Sequence, residues 1–120
     1  MHQKAPAAIG PYNQAVKLGN VVFTSGQIGL VPETGELAGA DTKTQAHQAF
    51  RNLAAVAEAA GGSLADVVKF TLFLTDLSEF SEVNALMQEY VQEPYPARST
   101  VEVSALPKGA RFEVDAILSI

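Results

Sequence analysis

Two stretches of the chain repeat their apolar residues at helical spacing. Ala46, Phe50, Leu53, Ala57 and Ala60 form one stripe, and Phe80, Val83, Met87, Tyr90 and Val91 form another. The first predicts a helix that opens near Thr42, which has capping-box spacing with Gln45, and stops at Gly61-Gly62. The second predicts a helix over 78–92. Elsewhere the period is two. Val68, Phe70, Leu72 and Leu74 alternate with Lys69 and Thr71, so 67–74 reads as a half-buried strand. Val21–Thr24 follows a Gly19-Asn20 turn and reads as a strand, with a shorter one at 15–18 before the turn. Two more strands are predicted at 99–103 and 111–118. The opening segment, with Pro6 and Pro11, is irregular; Ser25 to Gly29 is punctuated by glycines, and 32–36 is a loop.

The order β, β, α, β, α, β, β predicts an α+β fold in which one sheet carries two helices on one face. Val67 and Phe73 oppose the Val68–Phe70 set, so the strands offer apolar side chains to the other face as well. An uncovered apolar face is a liability for a monomer. A homo-oligomer packing sheet against sheet is therefore expected.

Composition narrows the chemistry. The chain has 120 residues, enough for one domain, and a net charge of -5, which opposes the phosphate neutralisation that nucleic-acid binding needs. It has no cysteine, which removes disulfides, thiolate catalysis and thiolate metal sites. Neither a signal-peptide pattern nor an apolar run of membrane-spanning length is present, and a cytoplasmic location without membrane partners is expected. His2 and His47 lack a metal-ligand partner at useful spacing, and no metal or other cofactor is expected.

Arg98 is one of only three arginines and sits just after Tyr95-Pro96 at the start of a strand. It could be an ordinary surface or ion-paired arginine. It could also be a carboxylate clamp, because a guanidinium is a rigid planar fork that stays charged. Pro96 would stiffen its approach. If the last two strands pair as a hairpin through Leu106-Pro107-Lys108-Gly109, with positive φ at Gly109, Glu113 lies opposite Glu102 and Asp115 opposite Thr100. That face is either a solvated acidic surface or the location of a general base. In this register Arg98 is about 13 Å from the position facing Glu113. A ligand must bridge the two, or they must meet across a subunit boundary. Asn84 falls on the second helix's inner stripe and would need a hydrogen-bond partner, which backbone could supply. Tyr12 could form a pocket wall, and Ser25-Gly26 could present backbone donors to an anion, although Thr-Ser-Gly is not a phosphate-loop signature.

Ala-Pro-Ala-Ala-Ile-Gly-Pro-Tyr at 5–12, Thr-Ser-Gly-Gln-Ile at 24–28, Tyr-Pro-Ala-Arg-Ser at 95–99 and Glu-Val-Ser-Ala-Leu-Pro-Lys at 102–108 resemble the RidA/YjgF family of reactive-intermediate deaminases. The resemblance covers nearly the whole chain. It implies a chorismate-mutase-like α+β fold with a mixed sheet, assembled as a homotrimer with clefts between subunits. It also implies hydrolysis of 2-imino acids such as 2-iminobutanoate and 2-iminopropanoate to 2-keto acids and ammonia, without a cofactor. Arg98 would bind the substrate carboxylate, Glu113 would position or activate water, and Tyr12, Ser25, Gly26 and Asn84 would line the cleft. Many relatives carry cysteine two residues after the arginine. Here Thr100 stands there and offers a hydroxyl in place of a thiol. The alternatives are a non-enzymatic module that binds a small carboxylate and, opposed by the charge, a ribonuclease or translation inhibitor.

Overall fold

The computed structural model describes residues 13–120. Tyr12 and the rest of the opening segment lie outside them. Strands β1 (Ala15–Leu18) and β2 (Val21–Thr24) are joined by a turn in which Gly19 takes φ of 63°. A two-residue strand β3 (Gln27–Ile28) precedes helix α1 (Thr42–Ala59). Strand β4 (Val67–Leu74), helix α2 (Phe80–Met87), strand β5 (Ala97–Glu102) and strand β6 (Phe112–Ser119) complete the order. The sheet runs β1-β2-β6-β4-β5, with β3 continuing along β6 beyond β2. Only β4 and β5 are parallel, so the sheet is mixed, as the resemblance implies. Phe70, Leu72, Leu74, Phe112, Val114 and Leu118 are buried on one face. Phe50 of α1 packs against Phe70 and Phe112 there, with ring centroids 6.0 and 5.7 Å apart, and stacks on Tyr90 at 5.2 Å.

Three local expectations are corrected. Asp41, not Thr42, caps α1: its carboxylate accepts from the Thr44 amide at 3.0 Å. Gln45 is buried instead, donating to Gly39 O and accepting from the Arg111 amide. The C-terminus follows the expected stop. Gly61, at φ of 98°, donates to Glu58 O and Gly62 donates to Ala57 O, the paired bonds of a Schellman cap. In β4 the alternation slips: a register irregularity between Val67 and Lys69 buries Val67 and leaves Val68 half-exposed. Helix α2 ends at Met87 rather than near 92. The next turn tightens, with Glu89 and Tyr90 donating to the carbonyls three residues back, and so keeps Tyr90 and Val91 against the core.

The largest difference concerns the last two strands. They do not form a hairpin; β4 lies between them, parallel to β5 and antiparallel to β6. Glu113 therefore faces Phe73 and Glu102 faces Leu74, while Asp115 faces Thr71 and Thr100 faces Leu72. A strand with apolar residues on both faces fits a central position, and α2 returns β5 beside it as a parallel crossover. Gly109 does take the expected positive φ, at 70°, and Lys108 joins it at 58°.

The face away from the helices carries Val16, Phe23 and Val101 with 54, 44 and 41% of their surface exposed. These three sit in register with the β2, β6 and β4 residues opposite Phe70's face.

Candidate functional site

Arg98 stands on the edge strand β5, directly opposite Phe70. Phe70 is fully buried on the helix face, and paired residues share a face, so Arg98 also projects to the helix side. Helix α2 positions it. Its Nη1 donates to Asn84 Oδ1 at 2.7 Å and approaches Met87 Sδ at 3.9 Å, and its guanidinium carbon lies 4.8 Å from the Phe80 ring centroid. A cation over an aromatic face is attracted by the ring quadrupole. Among the described residues, Nε and Nη2 have no hydrogen-bond partner. The arginine is thus oriented through one nitrogen while two others can receive a planar anion.

Asn84 is exposed rather than turned to the core, which corrects its expected place on the inner stripe of α2. It is placed there to hold the guanidinium. Arg98, Asn84 and Gln88 line a recess of about 380 Å³ together with Phe70, Met87, Val91, Tyr95 and Pro96.

Glu113 stands in another place. On β6 it pairs with Phe73 on one side and Ile28 on the other, on the face away from the helices. Its side chain rests on Gly26: a Cβ built there would lie 2.6 Å from Glu113 Cδ and 2.6 Å from Oε2. The gap between β2 and β3 at Ser25-Gly26 is therefore where the sheet admits this carboxylate. Burial pushes the Glu113 carboxyl above its usual value, and the nearby Asp115 charge adds to the effect. Burial raises Asp115 as well, opposed by a hydrogen bond from Thr71 and by the Lys69 charge.

Ser25 is half-buried beside Gly26. Its hydroxyl donates to Asn13 O at 2.5 Å and its amide to Gln14 O at 2.8 Å, so its oxygen remains able to accept. Thr100 lies two residues along β5 from Arg98, on the same face and partly buried.

The sequence-predicted residues thus form two groups. Arg98, Asn84 and Thr100 belong to the helix face at the β5 edge; Glu113, Gly26 and Ser25 belong to the β6–β3 side. Sequence reasoning placed Phe80 and Met87 in the core and missed that they also hold Arg98. It also missed that Gly26 makes room for Glu113. No local signal marks a contact between residues so far apart in sequence. Among the described residues no group of three or more His, Asp or Glu could hold a metal ion, and no helix is long and apolar enough to cross a membrane.

A family profile described as Endoribonuclease L-PSP matches residues 2–120. The chain is 47% identical over 116 residues to a protein named 2-iminobutanoate/2-iminopropanoate deaminase from Dermatophagoides farinae, covering 97% of this chain and 91% of that one. Its structure is similar to that of RidA from the Antarctic bacterium Psychrobacter sp., with a TM-score of 0.95, 55% identity, and 100% and 97% of the two chains covered. It is also similar to Escherichia coli TdcF, solved with bound serine, with a TM-score of 0.90, 45% identity, and 100% and 96% covered.

Proposed function

The chain belongs to the endoribonuclease L-PSP/RidA family, and on that premise we propose that it is an enzyme that hydrolyses reactive 2-imino acids to 2-keto acids and ammonia. One observation carries the reading: Arg98 is oriented by Asn84 and Phe80 where it lines a recess, and among the described residues its Nε and Nη2 have no partner. The name of the Dermatophagoides relative supports the imine, and the serine bound to TdcF supports a small amino-acid-like ligand in this fold.

In this reading Arg98 grips the substrate carboxylate through its two open nitrogens. Thr100, two residues along β5 on the same face, flanks the ligand. Water adds to the imine carbon as Glu113, ionised, takes one of its protons; the C=N π electrons move to the protonated nitrogen, giving a carbinolamine. Glu113 passes that proton to the amino nitrogen, then accepts the hydroxyl proton as the C–N bond breaks, which releases ammonia and leaves a 2-keto acid. A protonated imine is already electrophilic, so orientation and one positioned water are sufficient. Orientation by itself contributes about 7–11 kcal/mol in well-aligned cases.

Arg98 and Glu113 face away from each other within one chain, so the reading requires that they meet between chains. A homotrimer whose uncovered sheet faces pack together brings the β5 edge of one subunit to the β6–β3 side of the next, and covers Val16, Phe23 and Val101. Sedimentation equilibrium should return three times the 12.7 kDa chain mass. Calorimetry that finds 2-keto acid binding without turnover would favour a carboxylate-binding module instead. The family description names a ribonuclease, but a net charge of -5 opposes RNA binding, so RNA cleavage that disappears with Arg98→Ala would be needed to revive that activity.

The decisive assay generates a 2-imino acid in situ and traps it with semicarbazide. The protein should suppress trapping, and Arg98→Ala should abolish the suppression. Unaltered trapping at stoichiometric protein would defeat the reading.

A further inference from the structure

Glu113 owes its surroundings to an irregularity in the strands beside it. Strand β2 pairs with β6 as far as Phe23 and Ile117, and β3 resumes the pairing at Gln27 and Val114. Thr24, Ser25 and Gly26 therefore stand opposite only Ala116 and Asp115, and the chain carries one extra residue, a β-bulge. In an unbroken register Gln27 would face Glu113. A shift of one residue sends each later side chain to the other face. Here it turns Gln27 to the helix side, where it is buried, and sets Ile28 opposite Glu113. Gly26 takes the face away from the helices and comes to lie against the glutamate carboxylate.

Side chains hold this bulge on both sides. The amide of buried Ala116 donates to Thr24 Oγ1 at 3.0 Å, just where β2 parts from β6. On the other side the Ser25 amide donates to Gln14 O at 2.8 Å, which carries the β1–β2 ladder one step further. Gln27 Nε2 donates to Gln14 Oε1 at 2.7 Å. Gln14 and Gln27 thus tie the extra residue to the β1 side, and Thr24 ties it to β6. Threonine suits that place because its hydroxyl can take a nearby backbone N–H in place of a ladder carbonyl.

Resting on the deaminase reading, we propose that Thr24 is a positioning residue: its hydroxyl fixes the bulge against β6, and the bulge fixes where the Glu113 carboxylate lies on Gly26. Thr24→Val keeps the shape and the β-branch that suit a strand, but it leaves the buried Ala116 amide without an acceptor. That amide regains one only by drawing a carbonyl of the bulge towards β6, which shifts Gly26 and the carboxylate resting on it. Arg98 stands on β5 and projects to the opposite face, so its hold on the substrate carboxylate is unaffected.

The test compares Thr24→Val, Thr24→Ala and Thr24→Ser by semicarbazide trapping of an imine generated in situ. Thr24→Val and Thr24→Ala should each lower kcat by about a hundredfold, the effect of misplacing a reacting group by about 1 Å, with KM little changed. Thr24→Ser keeps the acceptor and should return kcat close to that of the unmodified protein. A threonine that only supports the fold would lower the thermal midpoint and leave the kcat of the folded protein as it was, which overturns the proposal. So does a loss in KM alone, a Thr24→Ser variant that behaves like Thr24→Val, or the failure of both Thr24→Val and Thr24→Ala to fold. If no imine is turned over, the deaminase reading fails, and an NMR titration of the Glu113 carboxyl still decides the role of Thr24. Burial and the Asp115 charge hold its midpoint above 4.5; the midpoint should fall towards 4.5 in Thr24→Val and stay in place in Thr24→Ser. Equal midpoints in all variants overturn the proposal.

Discussion

Arg98 and Glu113 project from opposite faces of one sheet. Arg98 pairs with Phe70, fully buried under the helices, and Glu113 pairs with Phe73, three residues along the same strand and on the other face. A single chain cannot bring the two to one small ligand. If both act in one reaction, each site takes its arginine from one subunit and its glutamate from the next, and a ring of head-to-tail contacts satisfies that.

This arrangement predicts complementation. Arg98→Ala and Glu113→Ala should each be inactive alone. Denatured together in equal amounts and refolded, they should regain about one quarter of the unmodified activity, because a random site draws an intact arginine and an intact glutamate from its two subunits with probability one half each. A site built within one subunit gives no recovery at all. The readout is the trapping assay on the mixed and unmixed samples.

The glycine beneath the carboxylate gives a second expectation. A Cβ at Gly26 would meet Glu113 Cδ and Oε2 at 2.6 Å, closer than such contacts occur. Gly26 does not require a positive φ, so alanine there brings no backbone strain. The nearest atoms belong to the end of a flexible side chain, which must move. Gly26→Ala should therefore lower kcat/KM by about a hundredfold, the cost of misplacing a reacting group by about 1 Å, while the thermal midpoint changes little. A variant with unaltered kcat/KM removes Glu113 from the reaction.

Much of this was legible from residue order, because the signals are local. The strand at 67–74, apart from the slip at its start, and the Gly61-Gly62 stop appear at their expected positions. The polar set of β5 was also read correctly as sharing one face, but the neighbour of that face was wrong. Pairing β5 with β6 as a hairpin put Glu113 opposite Glu102, whereas β4 separates them. Strand order is a non-local property: any two strands joined by a short connection can pair, and only the fit of the two-faced apolar β4 at the centre excludes it. The same limit hid the hold of Phe80 and Met87 on Arg98. Their apolar character fits a core position equally well, and only the edge location of β5 makes them neighbours of a charge.

The raised proton affinity of Glu113 has a kinetic consequence. A base must be ionised, so kcat/KM should fall on the acid side around the Glu113 pKa, and that midpoint should lie above the ordinary 4.5. Burial is the larger cause and the Asp115 charge the smaller. Asp115→Asn should thus move the acid limb downward without returning it to 4.5. The stability effect has a definite sign. The folded state binds the Glu113 proton more tightly than the unfolded chain, so this contribution is fully present below the unfolded value and is lost as pH rises through the folded one. Glu113→Gln should remove that loss and be more stable than the unmodified protein at neutral pH, as chemical denaturation at pH 4 and 7 would reveal.

Asn52 provides the last expectation, for the scaffold under the glutamate. It is fully buried on α1, and its Nδ2 donates to Ile28 O at 3.2 Å and Leu30 O at 2.8 Å, while its Oδ1 accepts from Gln48 at 2.9 Å. Ile28 pairs with Glu113, so this amide ties the strand beside the glutamate to the helix layer. Asn52→Leu keeps the size but takes its donor from Leu30 O, while Ile28 O still accepts from the Leu30 amide at 2.8 Å, and a buried group left unsatisfied costs about 1–3 kcal/mol. Asn52→Asp should cost more at neutral pH, because an ionised carboxylate would face two carbonyl oxygens in a buried site. Protonation restores one donor, so the Asn52→Asp variant should recover stability as pH falls, whereas Asn52→Leu should show no such recovery. Urea unfolding of both variants at pH 5 and 7 separates the two outcomes. Equal losses at both pH values would mean that the amide fills space and its hydrogen bonds contribute little.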